Sequence, residues 1–292
     1  MKIDTFLKIG HSHEICQDYI LSGTDPFPYI IIADGCSGAD DSDIGARILC
    51  HTALRFIKQH QSRMNTSTES YIATSIISNA AKVKEKFYTK MDCLDATLII
   101  AVKISGIYKI YMFGDGVIYW TAGDGFIDHC HVSYKPNAPG YLRYHVSGFQ
   151  EYMDAHVIQV IKTRNHEIVH NDALRPHYFE IHEGDVKNLI VASDGIESFM
   201  YNPQVMYQRN YIDLLRTIKE YKRLGSDLIM PDINTPEKTK LDFMEVADAM
   251  TNFKNFSGVF LKKRVKKVMK NYLKEGYIND DDLSIGCFHE EW

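Results

Sequence analysis

The run Tyr29-Ile-Ile-Ile-Ala33 is almost wholly apolar and stops dead at Asp34-Gly35, and Leu189-Ile-Val-Ala-Ser193 stops in the same way at Asp194-Gly195. The first run, short and rich in β-branched residues, fits a strand covered on both faces, so the chain has to place packed layers on either side of a sheet. Each glycine lets the backbone turn sharply and leaves the preceding carboxylate at the strand's exit. A third acid, Asp281, stands just before another strand pattern, Leu283-Ser-Ile-Gly-Cys287. Carboxylates at strand ends, drawn from distant parts of a chain, are how a sheet scaffold collects oxygen ligands for hard cations. Either Asp-Gly pair alone is an ordinary turn. The set is not, because with the cluster Asp280-Asp-Asp282 these acids would repel and raise one another's pKa unless cations compensated them.

At 292 residues and 45% hydrophobic, the chain can bury a substantial core. A net charge of -5 and a pI near 6.2 exclude a general nucleic-acid binder, which needs an excess of lysine and arginine. No stretch approaches the roughly 20 apolar residues of a membrane span. The opening Met1-Lys-Ile-Asp-Thr-Phe6 lacks the apolar core and cleavage site of a signal peptide. Six scattered cysteines without a CxxC pair imply reduced thiols and a cytoplasmic setting.

Apolar residues at helical spacing predict a helix over 43–59, capped by Ser42 or Asp41, and a second over 68–87, with Thr66 and Glu69 as a capping box. The period then changes to two. Strands are predicted over 96–104 and 107–113 around Ser105-Gly106, then over 117–121 after Gly114-Asp-Gly116 and over 126–127 after Gly123-Asp-Gly125, as one antiparallel meander. Residues 165–181 show no clear period, and Glu183-Gly-Asp185 reads as a turn. From 196 to 279 the pattern is mainly helical, broken by the polar loop Pro231-Asp-Ile-Asn-Thr-Pro236, and a strand over 283–288 closes the chain. This is an α+β pattern without βαβ alternation. It implies one domain over 1–292 with a helical and loop insertion at about 201–275.

Gln17-Asp18, Ala33-Asp-Gly35, Gly114-Asp115, Ala192-Ser-Asp-Gly195 and Asp281-Asp-Leu-Ser284 occur in an order that resembles the type 2C metal-dependent protein serine/threonine phosphatases. Gly10-His-Ser-His13 and the loop Asn137-Ala-Pro-Gly-Tyr141 look like the bacterial branch of that family, and the resemblance runs from about Gly10 to Phe288. It implies a sandwich of two antiparallel sheets flanked by helices on both sides. It also implies two Mn²⁺ or Mg²⁺ ions, with a third more weakly held. Carried over residue by residue, Asp34 would bridge the two ions, the Gly35 carbonyl would help hold the second, and Asp194 and Asp281 would hold the first. Asp18 would order waters around the second ion, and Asp115 resembles the ligand of the third. Two such ions lower the pKa of a shared water and neutralise the phosphoryl oxygens as it attacks phosphorus. The implied partners are a phosphoprotein substrate and a cognate Ser/Thr kinase, and the implied state is a monomer.

Three residues depart from the family pattern. Gln17 stands where many members carry glutamate, which removes a negative ligand. His13 stands where better-known members place a phosphate-gripping arginine, and histidine lacks arginine's permanent charge and fork. Cys36 stands where many members carry a histidine proposed as general acid. An active enzyme is therefore expected, with a weak or inactive binding module on the same fold as the alternative. His129-Cys-His131 puts two histidines on one side of a strand with no second ligand pair, which reads as coincidence. Residues 225–255 lengthen the interval between Asp194 and Asp281 and are the expected source of substrate selection. Leu261, Val265, Val268, Met269 and Tyr272 make a helical stripe opposite Lys262, Lys263, Arg264, Lys266, Lys267 and Lys270. Such a helix is ordinarily a solvated face over a packed stripe, or else a surface for anionic lipid or an acidic partner.

Overall fold

The computed structural model describes residues 1–64, 68–122, 125, 127–205 and 239–291. Two antiparallel sheets stack face to face, with strands numbered in chain order. The seven-stranded sheet runs β1 (Lys2–Lys8), β14 (Leu283–His289), β11 (Asn188–Ala192), β6 (Gly116–Thr121), β7 (Ile127–Lys135), β8 (Ile158–Thr163), β9 (Glu167–His170). The five-stranded sheet runs β10 (His177–His182), β5 (Ile107–Phe113), β4 (Leu98–Ile104), β3 (Tyr29–Ala33), β2 (Tyr19–Gly23). A small pair, β12 (Phe199–Tyr201) and β13 (Tyr277–Asn279), stands apart.

The period of two assigns each side chain to a layer. In β3, Tyr29, Ile31 and Ala33 pack on α1 (Ser42–Gln59) and α2 (Glu69–Glu85), while Ile30 and Ile32 face the other sheet. In β11 and β14, Ile190, Ala192, Ile285 and Cys287 pack on α4 (Phe243–Thr251) and α5 (Phe260–Lys274). Leu189, Val191 and Phe288 face inward. A third helix, α3 (Phe149–Asp154), follows β7. The expected helix–sheet–sheet–helix sandwich is the observed one. The sheets approach closely at Gly286, where a Cβ would lie 2.6 Å from the Ile30 side chain. No helix among the described residues is long and apolar enough to cross a membrane, and all six cysteines are free.

Several local expectations need correction. The predicted meander is split between the sheets: β4 and β5 pair in one, and β6 and β7 in the other. Gly114-Asp115 therefore carries the chain across the sandwich, with Gly114 and Gly116 both at positive φ. An Asp-Gly signal marks a reversal without saying which partner the next strand finds. The strand predicted from 96 begins at Leu98, because Ala96 bridges Gly35 outside the ladder. Helix α2 is capped by Thr68, whose hydroxyl accepts from the Tyr71 amide, and Thr66 lies outside the described residues. Asp41 precedes α1 in the left-handed region and offers its backbone carbonyl rather than its side chain. Strands β1, β2, β8, β12 and β13 were not foreseen, β7 extends to Lys135 beyond the predicted 126–127, and β9 and β10 fill the stretch without clear period. Residues 206–238, including the polar loop and much of the expected insertion, lie outside the described residues, as do Gly123 and Asp124.

Strand β1 also anchors the outer helix layer. The Asp4 carboxylate accepts from the amides of Leu261 (2.7 Å) and Lys262 (3.2 Å), so a side chain from the sheet satisfies the open N-terminus of α5. Asp4→Ala is expected to lower stability by about 1–2 kcal/mol in urea unfolding, as loss of a cap does.

Candidate active site

Antiparallel pairing of β11 with β14 sets Ala192 opposite Ile285, so the residues just beyond β11 meet those just before β14. The exit of β3 in the other sheet opens at the same end. A cavity of about 220 Å³ lies there, and Asp34, Asp115, Asp194 and Asp281 all line it. Gly35, His13 and Cys36 line it too, with Thr97 and Tyr141. Larger cavities of about 400 and 630 Å³ border the helices, and neither brings carboxylates together. The structure thus unites every proposed site residue except Asp18, which is buried just behind Asp34.

Backbone geometry fixes the β3 exit. The Asp34 amide donates to the Thr97 hydroxyl (3.2 Å), and the Thr97 amide returns a bond to the Asp34 carbonyl (2.8 Å). Gly35 is required by space: a Cβ there would lie 2.8 Å from the Ser42 carbonyl and 2.9 Å from that of Gln17. Gly195 is required more strictly, since its Cβ would fall 1.6 Å from the Asp282 carbonyl oxygen. Asp18 accepts from the Ser193 hydroxyl at 2.8 Å, and the Ser284 amide donates to that same hydroxyl at 3.1 Å.

Burial, then the charges of Asp18 and Asp194, hold the Asp34 carboxyl well above its ordinary range. Asp115 is raised by burial, then by Asp194 and Asp281. Asp281 is raised by burial, then by Asp194, with His13 opposing. Burial also raises Asp18, against its hydrogen bonds. Two carboxylate oxygens, Asp18 Oδ1 and Asp194 Oδ1, are buried without a hydrogen-bond partner. Such atoms cost free energy unless something outside the chain's own donors meets them.

An all-oxygen donor set with unsatisfied carboxylates fits a hard divalent cation. Among the described residues no three His, Cys, Asp or Glu side chains form a closed ligand set by themselves.

The residues that depart from the family pattern have defined settings. The Gln17 side-chain amide donates to the Ser42 hydroxyl (2.8 Å) and to the Cys36 carbonyl (3.4 Å), pinning the start of α1. His13 reaches Asp281 Oδ1 through Nε2 (3.4 Å) and Asp282 Oδ2 through Nδ1 (3.1 Å). Burial lowers its pKa, but Asp282, Asp281 and Asp18 outweigh that and raise it overall. Cys36 lines the same cavity as Tyr141. His129 and His131 lie away from the cavity; His131 contacts Glu197 at 3.3 Å, and both rings face Phe243.

Two structural roles were missed in the sequence. Asp282, almost fully buried, accepts from the amides of Gly10 (2.7 Å) and Gln17 (2.5 Å) and clamps the 10–17 loop onto the start of β14. The run Asp280-Asp-Asp282 signalled acids there, but not that neighbours along an extended chain point to opposite sides. Arg143 grips both carboxylate oxygens of Asp95, with Nη2 to Oδ2 at 2.8 Å, while the Asp95 carbonyl accepts from the Cys36 amide at 2.8 Å. Asp95 thus ties the turn after Tyr141 to the loop after Asp34.

The family profile described as Protein phosphatase 2C matches residues 9–228, about three quarters of the chain. The chain belongs to the protein phosphatase 2C family. No curated protein sequence matches it. Among solved structures, the serine/threonine phosphatase Stp1 from Staphylococcus aureus is similar with a TM-score of 0.52 at 12% identity, covering 100% of this chain and 95% of that one. The Mycobacterium tuberculosis serine/threonine phosphatase PstP/Ppp is similar with a TM-score of 0.51 at 10% identity, covering 99% of each. At that identity the likeness establishes a shared protein phosphatase 2C fold.

Because their folded pKa values are raised, these carboxyls contribute stability that is complete below the ordinary carboxylate range and is lost as pH rises through the folded values. In chelator-treated protein, Asp34→Asn is expected to raise Tm, with a larger gain at about pH 8 than at about pH 5. Each roughly tenfold change in a carboxyl's proton affinity on folding is worth ~1.4 kcal/mol. Differential scanning fluorimetry at both pH values reads this. An unchanged or lower Tm at high pH would contradict the repulsion.

Proposed function

We propose that this protein phosphatase 2C member hydrolyses phosphoserine and phosphothreonine in phosphoproteins, using two Mn²⁺ or Mg²⁺ ions, with a third held more weakly. The observation that carries the reading is the convergence of Asp34, Asp115, Asp194 and Asp281 on one cavity, with buried carboxylate oxygens of Asp18 and Asp194 unsatisfied. Asp34 would lie between the two ions, with the Gly35 carbonyl beside the second and Asp194 and Asp281 on the first. Asp115 would hold the third. When bound, the ions supply a water of lowered pKa as nucleophile and neutralise charge developing on the phosphoryl oxygens.

The chain's own residues set the geometry around that chemistry. Thr97 and Gly35 fix where the Asp34 carboxylate emerges, and the Ser193 hydroxyl holds Asp18 behind it. His13 lines the cavity with its ring nitrogens 3.4 Å from Asp281 and 3.1 Å from Asp282, so these carboxylates compete with a substrate phosphate for it. Cys36 and Tyr141 also line the cavity, and burial raises the pKa of the Tyr141 hydroxyl, which disfavours it as a proton source and leaves Cys36 as a packed wall residue. The catalytic unit spans 1–292, and its six free thiols suit a reducing cytoplasm.

A second reading rests on the departures at Gln17, His13 and Cys36 taken together. With His13 committed to carboxylates and the Gln17 side chain turned to Ser42, the fold could bind phosphoprotein without turnover. Hydrolysis of an aryl phosphate decides between them. Activity is expected with Mn²⁺, is expected to vanish with chelator, and should fall by ~100-fold or more in Asp194→Asn, as loss of a group stabilising transition-state charge does. Activity that persists with chelator would sink the metal-dependent reading, and inactivity of the Mn²⁺-bound wild type would sink the enzymatic one.

A further inference from the structure

Helix α5 carries charge of one sign only. Its buried stripe is Phe260, Leu261, Val265, Val268 and Tyr272, and its fifteen residues include no aspartate or glutamate. Lys262, Lys263, Lys266, Lys267 and Lys270 are exposed on the opposite face. None of these five makes an ion pair with a described residue. The whole chain has a net charge of -5, so this cationic face stands on an otherwise acidic molecule. Five like charges within two and a half turns repel, and the sequence does nothing to relieve them with i,i+4 carboxylates.

One end of the face, at Lys270, borders a groove beside the active-site loop. Lys270 and Leu273 form one wall of a groove of about 400 Å³, and Lys8, Ile9 and His11 form the other. Leu273 is 48% exposed and Ile9 38%. Gly10, also in the groove wall, donates its amide to Asp282, whose neighbour Asp281 lines the cavity. The groove and the active site are therefore separated by one loop.

Resting on the phosphatase reading above, we propose that the α5 lysine face and the groove between Lys270–Leu273 and Lys8–Ile9 dock an acidic segment of the phosphoprotein substrate, with an apolar side chain seated in the groove. Charge complementarity selects this occupant, since exposed lysines attract carboxylates and phosphates diffusely and steer association. A bilayer is a poorer fit because the apolar stripe of α5 is spent on the core and cannot enter the acyl layer. Single-stranded nucleic acid is a poorer fit because the face presents lysines without aromatic platforms.

The test compares the wild-type full chain with Lys262→Glu/Lys266→Glu/Lys270→Glu, and separately with Leu273→Ser. All are surface changes whose folding is checked by Tm. Substrates are a phosphoserine peptide with acidic flanks, the same peptide with alanine flanks, and an aryl phosphate. The wild type should favour the acidic peptide by roughly tenfold in kcat/KM, and high salt should erase the advantage. The triple variant should lose the preference through KM, with aryl-phosphate turnover unchanged, and Leu273→Ser should weaken both peptides. Fluorescence anisotropy with the unphosphorylated acidic peptide reads docking without catalysis and should show binding to the wild type only. A wild type indifferent to the flanks, a triple variant that keeps the preference, or binding to phosphatidylserine vesicles without binding to the peptide would overturn the proposal. If no substrate is hydrolysed, the phosphatase reading falls, and the anisotropy result still decides the docking surface.

Discussion

Four carboxyl groups of like charge meet at one end of the sandwich, and the repulsion among them is what the surrounding architecture has to overcome. Each is delivered by a different strand: Asp34 by β3, Asp115 by the crossing from β5, Asp194 by β11 and Asp281 by the approach to β14. The delivering strands are almost fully buried. A strand covered on both faces has no room to recoil, because moving it would open voids in two packed interfaces at once. The hydrophobic layers thus supply the rigidity with which the charges are held together.

Much of this was legible in the residues. Uninterrupted apolar runs ending in Asp-Gly located two of the acids, and the spacing of Ile44, Ile48, Phe56 and Ile57 located α1 to within a residue. What the sequence left hidden was pairing. Gly114-Asp-Gly116 announces a reversal, yet whether β6 returns to β5 or joins β11 depends on which strands are already adjacent, and that is a property of the assembled sheets. β1 escaped notice because Lys2–Lys8 mixes charged and apolar residues, as an edge strand can.

The site shows the same division. Ligand-type residues could be read from chemistry and order, whereas the settings of Gln17, His13 and Asp282 depend on contacts among residues far apart in the chain. Gln17 looks like a lost ligand in one dimension and is a structural pin in three. His13 looks like a weakened phosphate grip and instead lies between two carboxylates. In each case the polar side chain satisfies a local need that the chain's linear order does not reveal.

The clamp made by Asp282 joins residues 272 positions apart. During synthesis the 10–17 loop, with His13 and Asp18 beside it, leaves the ribosome long before the segment that fixes it. Until Asp282 arrives, neither the loop nor Asp194, whose glycine neighbour packs against the Asp282 backbone, has its final position. A nascent or truncated chain that lacks β14 also lacks Ile285 and Cys287, against which α4 and α5 pack. Assembly of the cavity is tied to arrival of the last strand, so a chain that stops short of it carries Asp34, Asp115 and Asp194 without the arrangement that groups them.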